Sequence, residues 1–342
     1  MAGMLSVGLI GAGRIGTFHA QVVAERVPNA QLIAVADPRP EAAEALAARF
    51  GTQAFTDPVQ LINDPTVEAV LIAASSEAHA DLIVAAAAAG KAIFCEKPMS
   101  LTLDDADRAL AAVDSAGVVL QIGFNRRFDR GFRAAHDAVT AGAIGEVQLM
   151  RSLTRDPGLA NPGAVPPWTI FLQTLIHDFD ALLWLNPGGE PVEVYATADA
   201  LVAPNFKASG LLDTAVVVVT FDNGARGIAE ASFSAAYGYD VRGEVFGSAG
   251  MVAAGTTARS SARLYTSAGE HHDTVRGDVE LMLDAYTAEF VEFAVAVTQQ
   301  RDPYVTGEDA RRALAVALAC VESVKKHAPV SVSTGDTWVV AG

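Results

Sequence analysis

The chain has 342 residues, of which 51% are hydrophobic and 19% charged, and a formal net charge of −16 at pH 7. That length suits two domains with full apolar cores, and the acidic balance argues against nucleic acid or an anionic membrane surface as partner. The two cysteines, Cys95 and Cys320, each lie in an apolar stretch and read as buried thiols, which suits a reducing cytosol and predicts a cytoplasmic protein. The N-terminus carries no basic leader, and the alanine run at 85–89 is too short to span a bilayer. There is no internal repeat and no zinc-type spacing of Cys and His.

Leu5 to Ile10 form an apolar strand, followed by Gly11-Ala12-Gly13-Arg14-Ile15-Gly16 and a helical stretch to about Arg26. In this pattern the first glycine permits a tight turn, the second lets the backbone approach a pyrophosphate, and the third allows close helix–strand packing. A second strand, Gln31 to Ala36, ends in Asp37, 21 residues beyond Gly16, where a carboxylate accepts hydrogen bonds from the adenosine ribose. Asp37 favours NAD over NADP. Arg39 could pair with the extra phosphate, so NADP use stays open. Gly11, Gly13, Arg14, Ile15, Gly16, Asp37 and Arg39 are therefore the first candidate cofactor residues.

Helix and strand then alternate: a helix over 41–50, a fourth strand over 67–74, a helix over 77–90, a fifth strand over 92–95, a helix over 104–116 and a sixth strand over 118–124. This alternation predicts a doubly wound parallel sheet over residues 1–124. Ala74, Ser75 and Ser76 would line the nicotinamide side of the crevice. His79, in the next helix's first turn, could bond that loop, with capping or packing as the plainer reading. Lys97, in Phe94-Cys95-Glu96-Lys97-Pro98, is delivered to the carboxyl rim of the sheet, where open α/β sheets bind ligands. Glu96 stands beside it, and both Glu96 and Lys97 join the candidate cofactor residues. Alone, Lys97 reads equally well as a surface lysine opening a loop. Pro98 holds it extended, and the sequence does not say whether the Lys97-Pro98 bond is cis.

Beyond Phe124 the pattern changes. An arginine-rich loop (Arg126, Arg127, Arg130) leads into a helix ending near Gly142, followed by a strand over 147–154 and a Pro/Gly-rich loop over 157–167. A helix is expected over 170–185, then strands over 191–202, 213–221, 225–236 and 239–247, with Asp222-Asn223-Gly224 as a hairpin turn. Successive strands without helices between them predict an antiparallel sheet, so residues 125–342 read as an α+β domain. Helices over 279–299 and 307–326 and a short strand close the chain, with Thr306 capping the last helix. His271-His272 read as a polar loop.

Within the 170–185 helix, Gln173, His177, Asp180 and Trp184 share one face at helical spacing. A polar stripe on an otherwise apolar helix is either paired or faces a cavity, because unpaired burial is unfavourable by a few kcal/mol. From this helix alone, His177 is either a core histidine satisfied by Asp180 or a carbonyl, or a catalytic one.

The glycine turn, Glu96-Lys97-Pro98, Gly123-Phe124-Asn125-Arg126-Arg127-Phe128 and Ile176-His177-Asp178-Phe179-Asp180 together resemble the Gfo/Idh/MocA oxidoreductases, and within them the inositol 2-dehydrogenases. The resemblance covers essentially the whole chain. It implies an N-terminal Rossmann domain, a C-terminal α+β domain on an open, mostly antiparallel sheet, and reversible oxidation of a sugar or cyclitol hydroxyl with a nicotinamide cofactor. It also implies a homo-oligomer, a tetramer or dimer, joined through the open sheet. Lys97 matches the family's catalytic lysine and His177 its general acid/base. Asn125, Arg127, Asp156 and Tyr239 fall in pocket-lining segments.

One residue departs from the family pattern. The usual aspartate four residues before the histidine is Gln173 here, which can orient an imidazole by hydrogen bonding but carries no charge. Asp178 cannot replace it, since one residue on it points roughly 100 degrees away around a helix. The departure implies a slowed reaction, a different substrate such as an aldose or an amino- or keto-sugar, or an NAD-binding homologue without catalysis.

Overall fold

The computed structural model describes residues 4–332. In chain order the elements are β1 (Leu5–Ile10), α1 (Arg14–Arg26), β2 (Ala30–Ala36), α2 (Pro40–Phe50), β3 (Gln53–Phe55), α3 (Pro58–Ile62), β4 (Ala69–Ile72), α4 (His79–Ala88), β5 (Ala92–Cys95), α5 (Leu103–Ala116), β6 (Leu120–Ile122), α6 (Arg130–Thr140), β7 (Val147–Arg155), α7 (Ile176–Trp184), β8 (Pro191–Asp199), β9 (Thr214–Phe221), β10 (Arg226–Ser232), β11 (Asp240–Gly247), β12 (Gly250–Ala254), β13 (Leu264–Thr266), β14 (Gly269–His271), α8 (Asp278–Leu281), α9 (Leu283–Gln299), α10 (Gly307–Lys326) and β15 (Val330–Ser331). They form two compact units: residues 4–128 with Asp284–Leu314, and Asp129–Leu283 with residues 315–332.

The first unit holds a parallel sheet in the order β3-β2-β1-β4-β5-β6. Every residue of β4 and β5 is buried, as expected of a sheet covered on both faces. The chain runs outward from β1 to β3 and then restarts at β4, so the order reverses between β1 and β4. Ligand crevices form at such a reversal, outside the strands' carboxyl ends. Short β3 and α3 lie between the helix expected over 41–50 and the strand expected over 67–74. The unit is completed by late sequence: on α9, Phe290 and Phe293 pack on Phe94 with ring centroids 4.5 and 5.8 Å away. Gln121 of β6 donates to the Glu289 carbonyl oxygen (2.9 Å), and Ile122 N–H donates to Val305 (3.3 Å).

The expected cap of α10 is present. Asp309 N–H donates to Thr306 Oγ1 (3.2 Å), and the Asp309 carboxylate accepts from the Thr306 amide (2.9 Å), a reciprocal capping box.

The second unit holds a seven-stranded sheet in the order β12-β11-β7-β10-β9-β8-β15. It is antiparallel except where β7 lies parallel to β10. Gly224 takes φ +90° in the Asp222-Asn223-Gly224 turn between β9 and β10, the left-handed conformation that turn requires. Helices cover one face closely: a Cβ at Gly227 would sit 3.1 Å from Leu182 of α7, and one at Gly243 would sit 2.9 Å from Phe132 of α6. The other face alternates outward with Tyr195, Val216, Val218 and Phe246, all exposed. His271, expected in a loop, ends β14 of a small exposed hairpin.

The expected single helix over 170–185 is divided. Ile170–Thr174 form a wide π turn, closed by Leu175 N–H donating to Ile170 (2.8 Å), and α7 begins at Ile176. A π turn inserts a residue, so 3.6-residue spacing does not carry from Gln173 into α7.

Candidate active site

The glycine turn sits at the carboxyl end of β1. Gly11 has φ +104°, and a Cβ there would lie 2.5 Å from the Ala73 carbonyl oxygen; one at Gly16 would lie 1.9 Å from Gly11 O. At Gly13 nothing lies within 4 Å, so that side of the turn is open. Gly13 caps α1 without a side-chain hydrogen bond, and the first turn of α1 carries no acidic residue. Its first amides thus face outward with the positive end of the helix dipole behind them, which fits a dinucleotide pyrophosphate. Arg14 is exposed at this turn, and Ile15 is half-buried.

Asp37 follows β2 and is buried. One carboxylate oxygen accepts from the Ala12 amide (2.8 Å), and the other accepts from the Arg39 amide and Nε (3.0 Å each). Burial opposes its charge, but the Arg39 and Ala12 hydrogen bonds outweigh that and hold the carboxyl below its usual range. Arg39 is itself exposed, so its ion pair is solvent-screened and weak. Asp37 therefore ties the glycine turn to the end of β2.

At the ends of β4 and β5, Ala74 and Ser76 are half-buried and Ser75 is exposed. His79 is buried, with Nδ1 2.7 Å from the Pro98 carbonyl oxygen and Nε2 3.1 Å from that of Ala74. Its ring is committed to backbone, so it contributes by clasping the two loops together. The Lys97-Pro98 bond is cis, and Lys97 is half-buried at the strand end. Glu96 faces inward: Oε1 lies 2.6 Å from His19 Nε2, and Oε2 accepts from the Lys97 amide (3.1 Å). Burial raises its proton affinity, but the His19 hydrogen bond and the neighbouring Lys97 hold the carboxyl below its usual range. Glu96 thus braces the Lys97 segment from inside. Asn125 and Arg127 are buried in a 3₁₀ turn, and Arg127 Nη2 lies 3.0 Å from Asp309 on α10.

In the second unit a cavity of about 430 Å³ is lined in part by Asp156, Thr174, Tyr239, Arg276 and Asp278. Asp156 is pinned between β10 and the following loop: its amide donates to Ser232 O (2.9 Å), and its carbonyl accepts from Ala235 (2.7 Å). Gly238, with φ +136°, lets the chain pass so close that a Cβ would sit 2.4 Å from Val275 O, and Tyr239 N–H donates to that oxygen (2.8 Å). This close approach brings Tyr239 beside Arg276. Asp156 and Tyr239 thus both line this cavity. Thr174, Arg276 and Asp278 were not singled out from sequence. Adjacency to Gln173 could have flagged Thr174, whereas Arg276-Gly277-Asp278 carries no signal of its own.

Gln173 and His177 are half-buried on the π turn and the first turn of α7. The polar stripe expected across this helix divides by burial. Asp180 is fully buried, and Trp184 stacks on the His136 ring with centroids 4.2 Å apart. Asp178, also fully buried, accepts from Ser152 Oγ and Thr154 Oγ1 of β7, each at 2.6 Å, and anchors α7 to the sheet.

Strand order, open glycine turn and the carboxylate after β2 define the first unit as a dinucleotide-binding domain. Residues 5–124 match the GFO/IDH/MocA oxidoreductase family, NAD-binding Rossmann fold, and residues 132–253 match the GFO/IDH/MocA C-terminal domain. The chain belongs to this family. It is 38% identical over 340 residues to a myo-inositol 2-dehydrogenase of Thermotoga maritima, covering 95% of this chain and 98% of that one. It is 34% identical to an NAD⁺-dependent scyllo-inositol 2-dehydrogenase of Bacillus subtilis, covering 94% of each. The crystal structure of Lactobacillus casei scyllo-inositol dehydrogenase with bound NAD(H) and scyllo-inositol superposes with a TM-score of 0.92 at 27% identity, covering 96% of this chain and 99% of that one.

Proposed function

We propose that this protein oxidises a ring hydroxyl of a cyclitol, with myo- or scyllo-inositol as the substrate class and NAD as the cofactor. The observation that carries the reading is its full-length likeness to inositol dehydrogenases, one of them solved with NAD(H) and scyllo-inositol bound. The cavity supports it: about 430 Å³ lined by carboxylate, hydroxyl, phenol and guanidinium groups suits a small ring bearing many hydroxyls.

Gly11, Gly13, Gly16 and Asp37 would hold the dinucleotide, whose nicotinamide supplies the hydride acceptor. His177 takes the proton of the reacting hydroxyl as general base, and the Lys97 ammonium opposes the negative charge that develops on that oxygen. Gln173 orients the imidazole through its amide without adding charge. Asp156 and Tyr239 hold substrate hydroxyls, and Asn125 and Arg127 shape the wall.

The outward face of the second sheet, with Tyr195, Val216 and Val218 exposed on adjacent β8 and β9 and Phe246 exposed on β11, is the surface on which copies associate into a tetramer or dimer. Among the described residues no helix is long and apolar enough to cross a membrane. The buried free thiols Cys95 and Cys320 support residence in a reducing cytoplasm.

The test is nicotinamide absorbance over a panel of cyclitols, aldoses and amino-sugars, with NAD and NADP in parallel. Turnover of an inositol with NAD is the expected result. Preference for an aldose or amino-sugar transfers the assignment to that substrate, and NAD binding without any turnover overturns it.

A further inference from the structure

The outward face of the second sheet carries a charged cluster that hydride transfer does not use. It gathers where β7 ends at Arg155 and β11 begins at Asp240, residues that pair directly across the two strands. Arg242 forks onto the buried Asp240 carboxylate, with Nε at 2.7 Å and Nη2 at 2.9 Å. Glu230 of β10 accepts from Arg151 (2.8 Å) and from Arg155. Arg155 and Asp240 do not bond directly: Nη1 and Oδ2 are 3.9 Å apart, beyond hydrogen-bond reach. The Tyr237 phenol spans that gap, donating to Asp240 Oδ2 (2.7 Å) and accepting from Arg155 Nη1 (3.2 Å). Burial, and then the hydrogen bond to Asp240, raise the phenol's proton affinity above its usual range, so it stays a donor.

Each end of this bridge is one residue from a side chain of the cavity. Asp156 follows Arg155, Tyr239 precedes Asp240, and both line the cavity with Arg276. Neighbouring residues of an extended chain alternate sides, so fixing Arg155 and Asp240 on the outer side fixes their neighbours on the inner one. The same segment is clamped from within. Thr274 Oγ1 donates to the Tyr237 carbonyl oxygen, Arg276 Nη1 to that of Ala236 (3.0 Å), and Tyr239 N–H to that of Val275 (2.8 Å). The Arg155–Tyr237–Asp240 bridge holds it from the opposite side.

We propose that Tyr237 is a positioning residue for substrate: its hydroxyl, bridging Arg155 to Asp240 on the outer side of the sheet, sets the spacing of Asp156 and Tyr239 in the cavity, and with it the fit of a ring bearing several hydroxyls. Tyr237 takes no part in hydride or proton transfer. This role rests on the dehydrogenase reading, in which Asp156 and Tyr239 hold substrate hydroxyls; the bridge itself does not.

Tyr237→Phe keeps the ring and removes only the bridging oxygen. In Y237F the KM for myo-inositol should rise roughly 10-fold, the scale of a small misplacement of binding groups, while kcat and the KM for NAD stay within about twofold. Arg155→Lys keeps a charge facing Glu230 but loses the planar fork, and should shift the same constant in the same direction. Hydrogen–deuterium exchange of the unliganded protein should quicken in Y237F over residues 235–240, where the Ala235 and Tyr239 amides donate to the carbonyl oxygens of Asp156 and Val275. The thermal midpoint should change little.

Wild-type exchange over 235–240 in Y237F, an unchanged KM for myo-inositol, or KM values for myo-inositol and NAD raised alike would overturn the proposal. If Y237F does not fold, R155K takes its place in both measurements. If the wild-type protein oxidises no polyol, the dehydrogenase reading fails by itself, and the exchange measurement still decides whether Tyr237 holds the segment.

Discussion

In the first unit both faces of the sheet are buried, and the candidate residues stand at strand ends, tied to backbone by Asp37, His79 and Glu96. In the second unit only one face is covered; the candidate residues come from a π turn, from α7 and from loops, while the other face carries exposed Tyr195 and Val218. The difference separates two ways of making a site. A covered parallel sheet leaves only its rim for ligands, so position along the strand nearly dictates role. A half-covered sheet distributes its duties: one face anchors helices, the other is left exposed, and the cavity-lining groups come from connections that can vary.

The sharpest challenge to this contrast falls on neighbouring residues of α7. His177→Ala should lower turnover by about 10²–10⁴ with little change in thermal stability, the outcome expected of the proposed general base. Full retained activity would remove its assignment as base. Asp178→Ala should do the opposite, destabilising by about 2–4 kcal/mol in denaturant unfolding, because the Ser152 and Thr154 hydroxyls lose their acceptor inside the core. A loss of activity without a loss of stability would show that the anchor is part of the chemistry.

A smaller effect concerns the brace between Arg127 and Asp309 in the first unit. Burial opposes the Asp309 charge, but Arg127 and the Thr306 contacts hold its carboxyl below the usual range. A depressed folded value contributes stability above the unfolded value, about 3.9, and that stability is lost as pH falls through the folded value. Asp309→Asn should cost about 1–2 kcal/mol at pH 7 and flatten this acid-side loss; an unchanged acid limb would show the pair to be idle. Least in energy per protomer, Val218→Lys on the exposed face should leave unfolding within about 0.5 kcal/mol while shifting light-scattering mass towards monomer. Unchanged mass would move the partner surface elsewhere.

What the sequence disclosed was what is local in it. Gly11, Gly13, Gly16 and Asp37 lie within one strand–helix–strand unit, and Lys97 directly follows an apolar run, so spacing alone places them on the rim. The pairing of Glu96 with His19 escapes local reading, because the two lie 77 positions apart. The division of the 170–185 helix was hidden for a different reason: a π turn keeps the hydrophobic pattern while shifting which residues share a face. Parallel pairing of β7 with β10, and the meeting of Tyr239 with Arg276, depend on register and on Gly238, neither of which periodicity encodes.

The aromatic cover on Phe94 also has a bearing on how the molecule is made. Phe290 and Phe293 come from α9, so the NAD-binding unit has no finished core until α9, which follows residues 129–283 of the second unit, has left the ribosome. During synthesis the emerging sheet must wait with Phe94 and His19 unshielded while that stretch is translated, a window in which folding helpers would find their target. A fragment ending at Phe128 should reproduce that waiting state in the test tube, binding hydrophobic dyes and aggregating despite containing every residue of the glycine turn.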